Sequence, residues 1–174
     1  MDKDGKFKVL PAHQFHLAEE AKKENDKFIF SELLNQINDN SKELVFIPVN
    51  NPNFHWSLIV YEVSEKRFWH WDTLGGANLG YVEPLCKELL EQIHRKEVKL
   101  EQYLVRRHEI KQKNSYDCGI TVIAITKKIR ELWNQSWWEW MKYGKFRLEG
   151  ELGEIDFRKE REELRKKYLE ESKN

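Results

Sequence analysis

Cysteine is scarce. Cys86 and Cys118 are the only two in 174 residues, far apart and outside any C-x-x-C pair, which argues against a disulfide framework and a thiolate zinc site and points to a reducing compartment, cytoplasmic or nuclear. An excess of one charge is lacking too. Thirty basic and thirty acidic side chains cancel, so no net field draws the chain to nucleic acid or to an anionic membrane surface, and neither is expected as a partner. No apolar run approaches the roughly 20 residues that span a bilayer, and Met1 to Pro11 lacks the apolar core of a signal peptide. A soluble protein that stays inside the cell is the expectation. Repeats and low-complexity blocks are absent, so 1–174 reads as one domain with one core, a short N-terminal lobe (1–42) and a charged helix (155–171) near the other end.

What is present is ordered by periodicity. Phe15 to Ala21 and Phe28 to Ile37 carry apolar residues at helical spacing, and a turn follows at Asn38 to Ser41. Leu44 to Val49, Trp56 to Val63 and Arg67 to Thr73 are rich in β-branched and aromatic residues and read as strands. Leu79 to Lys96 returns to a helical stripe (Val82, Leu85, Leu89, Leu90, Ile93), and Tyr103 to Ile110 to strand composition. Beyond Cys118, apolar residues at Val122, Ile125, Ile129, Leu132 and Trp133 predict a core-facing helix that begins close to the cysteine. The last helix is dense in Glu, Lys and Arg and is expected to be solvated over most of its surface.

Three side chains stand out within this order. A hairpin turning at Ser64 to Lys66 brings Asp72 to within about two residues of the position facing His55, close enough for a carboxylate to fix an imidazole tautomer. Alone, such a pair is more often surface decoration than chemistry. Cys118 changes the balance, because a helix N-terminus favours a thiolate and Gly119 lets backbone approach a substrate carbonyl. Cys86, inside the Leu85 to Ile93 stripe, reads as a small buried hydrophobe.

The strings F-H-W-S-L, W-D-T seventeen residues after the histidine, and Q-K-N-S-Y-D-C-G with the glutamine six residues before the cysteine resemble the sentrin-specific, ubiquitin-like-protein protease family. N-S-Y-D-C-G is most similar to its deneddylase branch. The likeness covers about Leu44 to Leu132. It implies an α+β, papain-like fold, with a central, mostly antiparallel sheet flanked by helices and the nucleophile at the N-terminus of a core helix. It implies a cysteine protease that needs no metal or cofactor and cuts after the C-terminal Gly-Gly of a ubiquitin-like modifier, most like a deneddylase and next a SUMO protease. Its catalytic residues would be His55, Asp72 and Cys118, with Gln112 donating to the oxyanion. Trp56 would line a tunnel that admits only glycine, unless it is a core tryptophan, and Gly119 would flank the bound tail.

Two departures from the family pattern matter. Residues 1–55 contain no tryptophan, whereas the family closes its tunnel with one from a segment before the histidine. This leaves open a weak or inactive relative that binds a modifier without cutting it. An acyltransferase using the same Cys-His-Asp set is a further alternative, although no basic cluster suited to an acyl-CoA donor is evident. The second departure is Trp133, Trp137, Trp138 and Trp140 crowded into eight residues, which fits either a packed helix or an exposed patch for a partner or for self-association.

Overall fold

The computed structural model describes residues 5–24, 26–52, 54–107, 110–112, 114, 116–143 and 156–172, and the side chains of 134–143 lie outside that description. Two compact units emerge, Met1–Lys111 and Gln112–Asn174, and each is described by itself.

The first unit is built on one five-stranded sheet whose spatial order follows the chain: β1 (Phe7–Val9), β2 (Leu44–Asn51), β3 (His55–Glu62), β4 (Arg67–Trp71) and β5 (Leu104–Arg107). The inner ladders, β2 with β3 and β3 with β4, are antiparallel, joined by short turns. The outer ladders are parallel. Parallel neighbours need a crossover: helices α1 (Gln14–Lys23) and α2 (Lys27–Ile37) join β1 to β2, and α3 (Leu79–His94) with a 3-10 turn (Leu100–Gln102) joins β4 to β5. The sheet is therefore mixed, within the α+β class expected from the sequence.

The apolar stripes set the packing. Asp26 caps α2, its side chain accepting from the Phe28 N–H at 2.9 Å, and the helix turns Leu33 and Ile37 inward. One sheet face, with Val45, Ile47, Val49, Ile59, Tyr61 and Phe68, shares a core with Phe15 and Ala18 of α1, with Leu33 and Ile37, and with Val82, Leu85 and Leu89 of α3. Side chains of the opposite pleat, Leu44, Phe46, Leu58, Val60, Trp69 and Trp71, are buried too. Burial on both faces is why these strands read as nearly continuous apolar runs. Cys86 sits inside the core, as expected, and burial pushes its thiol pKa up.

The second unit holds α4 (Cys118–Tyr143) and α5 (Phe157–Glu171). Trp133 is buried, which suits the packed reading for that one residue; the side chains of Trp137, Trp138 and Trp140 lie outside the described residues. Helix α5 buries none of its residues, in keeping with its charge. It nevertheless ties to α4, since Lys127 donates to Glu160 at 2.6 Å and lies 3.6 Å from Glu163.

Most elements lie where periodicity put them. Strand β1 was not foreseen: three residues are too few to display alternation. Strand β5 ends at Arg107, short of the expected Ile110, and residues 108–109 lie outside the description.

Candidate active site

Strand register brings His55 and Asp72 together. Leu58 faces Trp71, so one step further Ser57 faces Asp72, and His55 is the diagonal neighbour on the same face of the sheet. The imidazole is long enough to close that diagonal: His55 Nε2 donates to Asp72 Oδ1 at 2.9 Å, with both side chains fully buried.

The segment after β4 completes the carboxylate's surroundings. Gly75 and Gly76 take φ values of 68° and 97°, a left-handed backbone that glycine adopts at little cost, and the chain doubles back on Asp72. The Leu74 N–H donates to Oδ1 at 2.9 Å and the Asn78 N–H to Oδ2 at 2.8 Å. Burial alone would push the Asp72 carboxyl up. Hydrogen bonds from His55, Asn78 and Leu74 outweigh it and hold the pKa at about 2, below the ordinary 3.8.

An ionised carboxylate can only accept, so His55 donates through its Nε2–H, and Nδ1 is the ring nitrogen left over. That Nδ1 is buried and has no hydrogen-bond partner among the described residues. Orphaned buried polar atoms are rare and call for a reason, and an imidazole nitrogen with no hydrogen-bond partner is placed to exchange a proton. Phe54, exposed to solvent, sets its ring edge-on to the imidazole with centroids 6.3 Å apart.

Trp56 follows His55 on the opposite pleat, half-buried and opposite Asn50. Of the six residues singled out from sequence, His55, Asp72 and Trp56 belong to the first unit and Gln112, Cys118 and Gly119 to the second.

In the second unit, Cys118 is the first residue of α4 and is 8% exposed. The turn before it is organised by Asn114, whose Oδ1 accepts from the Tyr116 N–H at 3.1 Å and the Asp117 N–H at 2.9 Å. The Asp117 carbonyl then accepts the first helical bond, from the Thr121 N–H at 2.8 Å. Its carboxylate accepts from Asn114 Nδ2 at 2.5 Å and from the Arg161 guanidinium of α5, which also lies 5.5 Å from the centre of the Tyr116 ring. Gln112, half-buried, donates its side-chain amide to the Asn114 carbonyl at 2.7 Å.

Sequence reasoning missed Asn78, Asn114 and Arg161. Asn78 had a signal, an Asn directly before a helical stripe. Arg161 had none, being one cation among many on a helix read as solvated.

The family described as "Ulp1 protease family, C-terminal catalytic domain" matches residues 15–132. Sentrin-specific protease 8 of Homo sapiens is 34% identical over 95 residues, 51% of this chain and 44% of the human protein. NEDD8-specific protease 1 of Arabidopsis thaliana is 29% identical over 114 residues, 61% of this chain and 49% of that protein. This chain thus spans less than half the length of either relative. Among solved structures, a mutant of Xanthomonas XopD superposes with a TM-score of 0.60 at 15% identity, covering 90% of this chain and 83% of that one. The SUMO protease Ulp1 with its catalytic cysteine oxidised to a sulfenic acid gives 0.52 at 18% identity, covering 70% and 56%. At these identities the structural likeness is one of fold.

Proposed function

The chain belongs to the Ulp1 protease family, and on that premise we propose that it is a thiol protease cutting after the C-terminal glycines of a ubiquitin-like modifier, with a NEDD8-type modifier the substrate to try first and SUMO the next. The choice of modifier follows the relatives that carry sentrin-specific and NEDD8-specific protease names. One observation carries the catalytic reading: a buried imidazole committed through Nε2 to an ionised Asp72, with Nδ1 lacking a hydrogen-bond partner among the described residues.

In this reading the two units act as one catalytic domain. His55 Nδ1 takes the proton of the Cys118 thiol, and the thiolate attacks the carbonyl carbon of the terminal glycine. The tetrahedral oxyanion is met by the Cys118 N–H and by the Gln112 amide, which turns from the Asn114 carbonyl to do so. The imidazolium returns its proton to the leaving amine, the C–N bond breaks, and a thioester remains. Water, deprotonated by the same Nδ1, adds to the thioester carbonyl, the C–S bond breaks to release the modifier's carboxylate, and the Cys118 sulfur takes back the proton from the imidazolium. Trp56 and Gly119 bound the glycine tail.

The test is a panel of ubiquitin-like proteins that end in a thiol-reactive electrophile. One or more should attach covalently to Cys118, Cys118→Ala should abolish attachment and turnover, and Cys86→Ala should leave both nearly intact. Attachment that follows Cys86 would overturn the assignment. Saturable binding of an intact modifier without attachment would favour the non-cleaving relative instead.

A further inference from the structure

We propose that Asn78 is a positioning residue for catalysis, its side-chain amide standing in for a missing strand and fixing His55 relative to Asp72. This rests on the protease reading above. Strand β3 outruns β4: the β3–β4 ladder stops at Leu58 and Trp71, while β2 continues along β3 to Asn51 opposite His55. Residues 55–57 therefore have a strand on one side only, at the point where the base must be held still.

Asn78 closes that gap. Its Nδ2 donates to the His55 carbonyl at 3.3 Å and to Ser57 Oγ at 3.0 Å, its Oδ1 accepts from Asn51 Nδ2 at 3.3 Å, and its backbone N–H holds Asp72 Oδ2. One fully buried residue thus touches the end of β2, the start of β3 and the carboxylate just past β4. Ser57 continues the network to the buried His70, whose Nε2 lies 3.0 Å from Ser57 Oγ.

The bland alternative is a helix cap. Asn78 stands at the N-cap position of α3, yet its side chain makes no capping hydrogen bond. Asn and Asp cap helices about equally well, so a cap would accept Asn78→Asp without loss. A donor to the His55 carbonyl would not, because a carboxylate in that place has no hydrogen to give and faces an oxygen.

The experiment measures kcat and KM for Asn78→Ala and Asn78→Asp on the modifier that labels Cys118, alongside thermal melting. Both variants should lower kcat by about tenfold to a hundredfold, the scale of a small misplacement of a reacting group, with KM nearly unchanged. The downfield Nε2–H proton of His55 should shift or broaden in both by NMR, recorded in Cys118→Ala protein. An Asn78→Asp variant that keeps kcat within about twofold, with an unmoved Nε2–H signal, would make Asn78 a cap and overturn the inference. If the unsubstituted chain turns over no modifier, the protease reading fails by itself. The Nε2–H signal still decides whether Asn78 holds His55 in place.

Discussion

Replacing Asp72 by Asn changes one heavy atom at the centre of three hydrogen bonds. In the native protein the carboxylate receives donors only, from His55, Leu74 and Asn78, and an amide cannot accept on both sides. If its oxygen faces His55 and Leu74, its NH2 meets the Asn78 N–H, and a buried donor left facing a donor costs about 1–3 kcal/mol. If the oxygen faces Asn78, the NH2 meets His55, and the imidazole must accept through Nε2 and carry its proton on Nδ1. Nδ1, the nitrogen proposed to act as base, is then already protonated, a fault that costs on the order of 10⁴ in kcat where a triad aspartate is so replaced. Asp72→Asn should therefore lose turnover by orders of magnitude while KM moves little.

Stability gives an independent reading of the same substitution. The fall of the Asp72 pKa from 3.8 to about 2 is worth roughly 2 kcal/mol to the folded state. For a depressed acid this contribution is fully present above the unfolded value and is lost as pH falls through about 2. Urea unfolding at pH 7 should show the Asn variant weaker by about that amount. Its stability should also change less between pH 5 and pH 2 than that of the unsubstituted protein. A variant with turnover within tenfold and an unchanged pH–stability curve would refute both the tautomer argument and the assignment of Asp72.

Gln112→Ala should lower kcat by about a hundredfold to a thousandfold, the usual loss for one oxyanion donor, while Cys118→Ala protein with and without it binds intact modifier equally. Lost affinity at constant kcat would move Gln112 to ground-state binding. Glu62→Gln should raise the melting temperature at pH 7: burial pushes the Glu62 carboxyl up against the opposing hydrogen bond from Trp69 Nε1 at 3.0 Å, and Gln keeps an acceptor for Trp69 without a buried charge. The gain should vanish in acid, where Glu62 is protonated and is as neutral as the Gln that replaces it. A lower melting temperature at pH 7 would count against this account.

Much of this was legible in the sequence, for reasons that differ by element. The β3–β4 turn fixes register through chain connectivity, so the pairing of Leu58 with Trp71 and the nearness of His55 to Asp72 could be anticipated from residue numbers alone. The stripes of α2 and α3 were equally plain, because burial of one helical face leaves a period of 3.6. The parallel outer ladders were not, since pairing across a crossover is decided by where intervening helices pack. Nor was Asn78: its partners lie up to 27 residues away, and nothing in a lone asparagine announces that its amide turns from the helix it begins toward two strands. The tie between Arg161 and Asp117 spans 44 residues and was hidden by composition, because a helix that buries no residue still docks through ion pairs.

That tie carries a consequence for solution conditions. Arg161 is about half exposed, its side chain at 47%, and Lys127 at 42%. Dissolved ions shorten the reach of such charges, to about 8 Å at physiological ionic strength and about 3 Å at 1 M. The fastening beside Cys118 is therefore open to salt, whereas the hydrogen bond between His55 and Asp72, with both side chains at 0%, is shut away from it. Raising ionic strength should loosen α5 from α4, seen as faster amide exchange along Phe157–Glu171, and leave the His55 Nε2–H signal where it was. Equal exchange at low and high salt would mean that the helix is held by something other than charge.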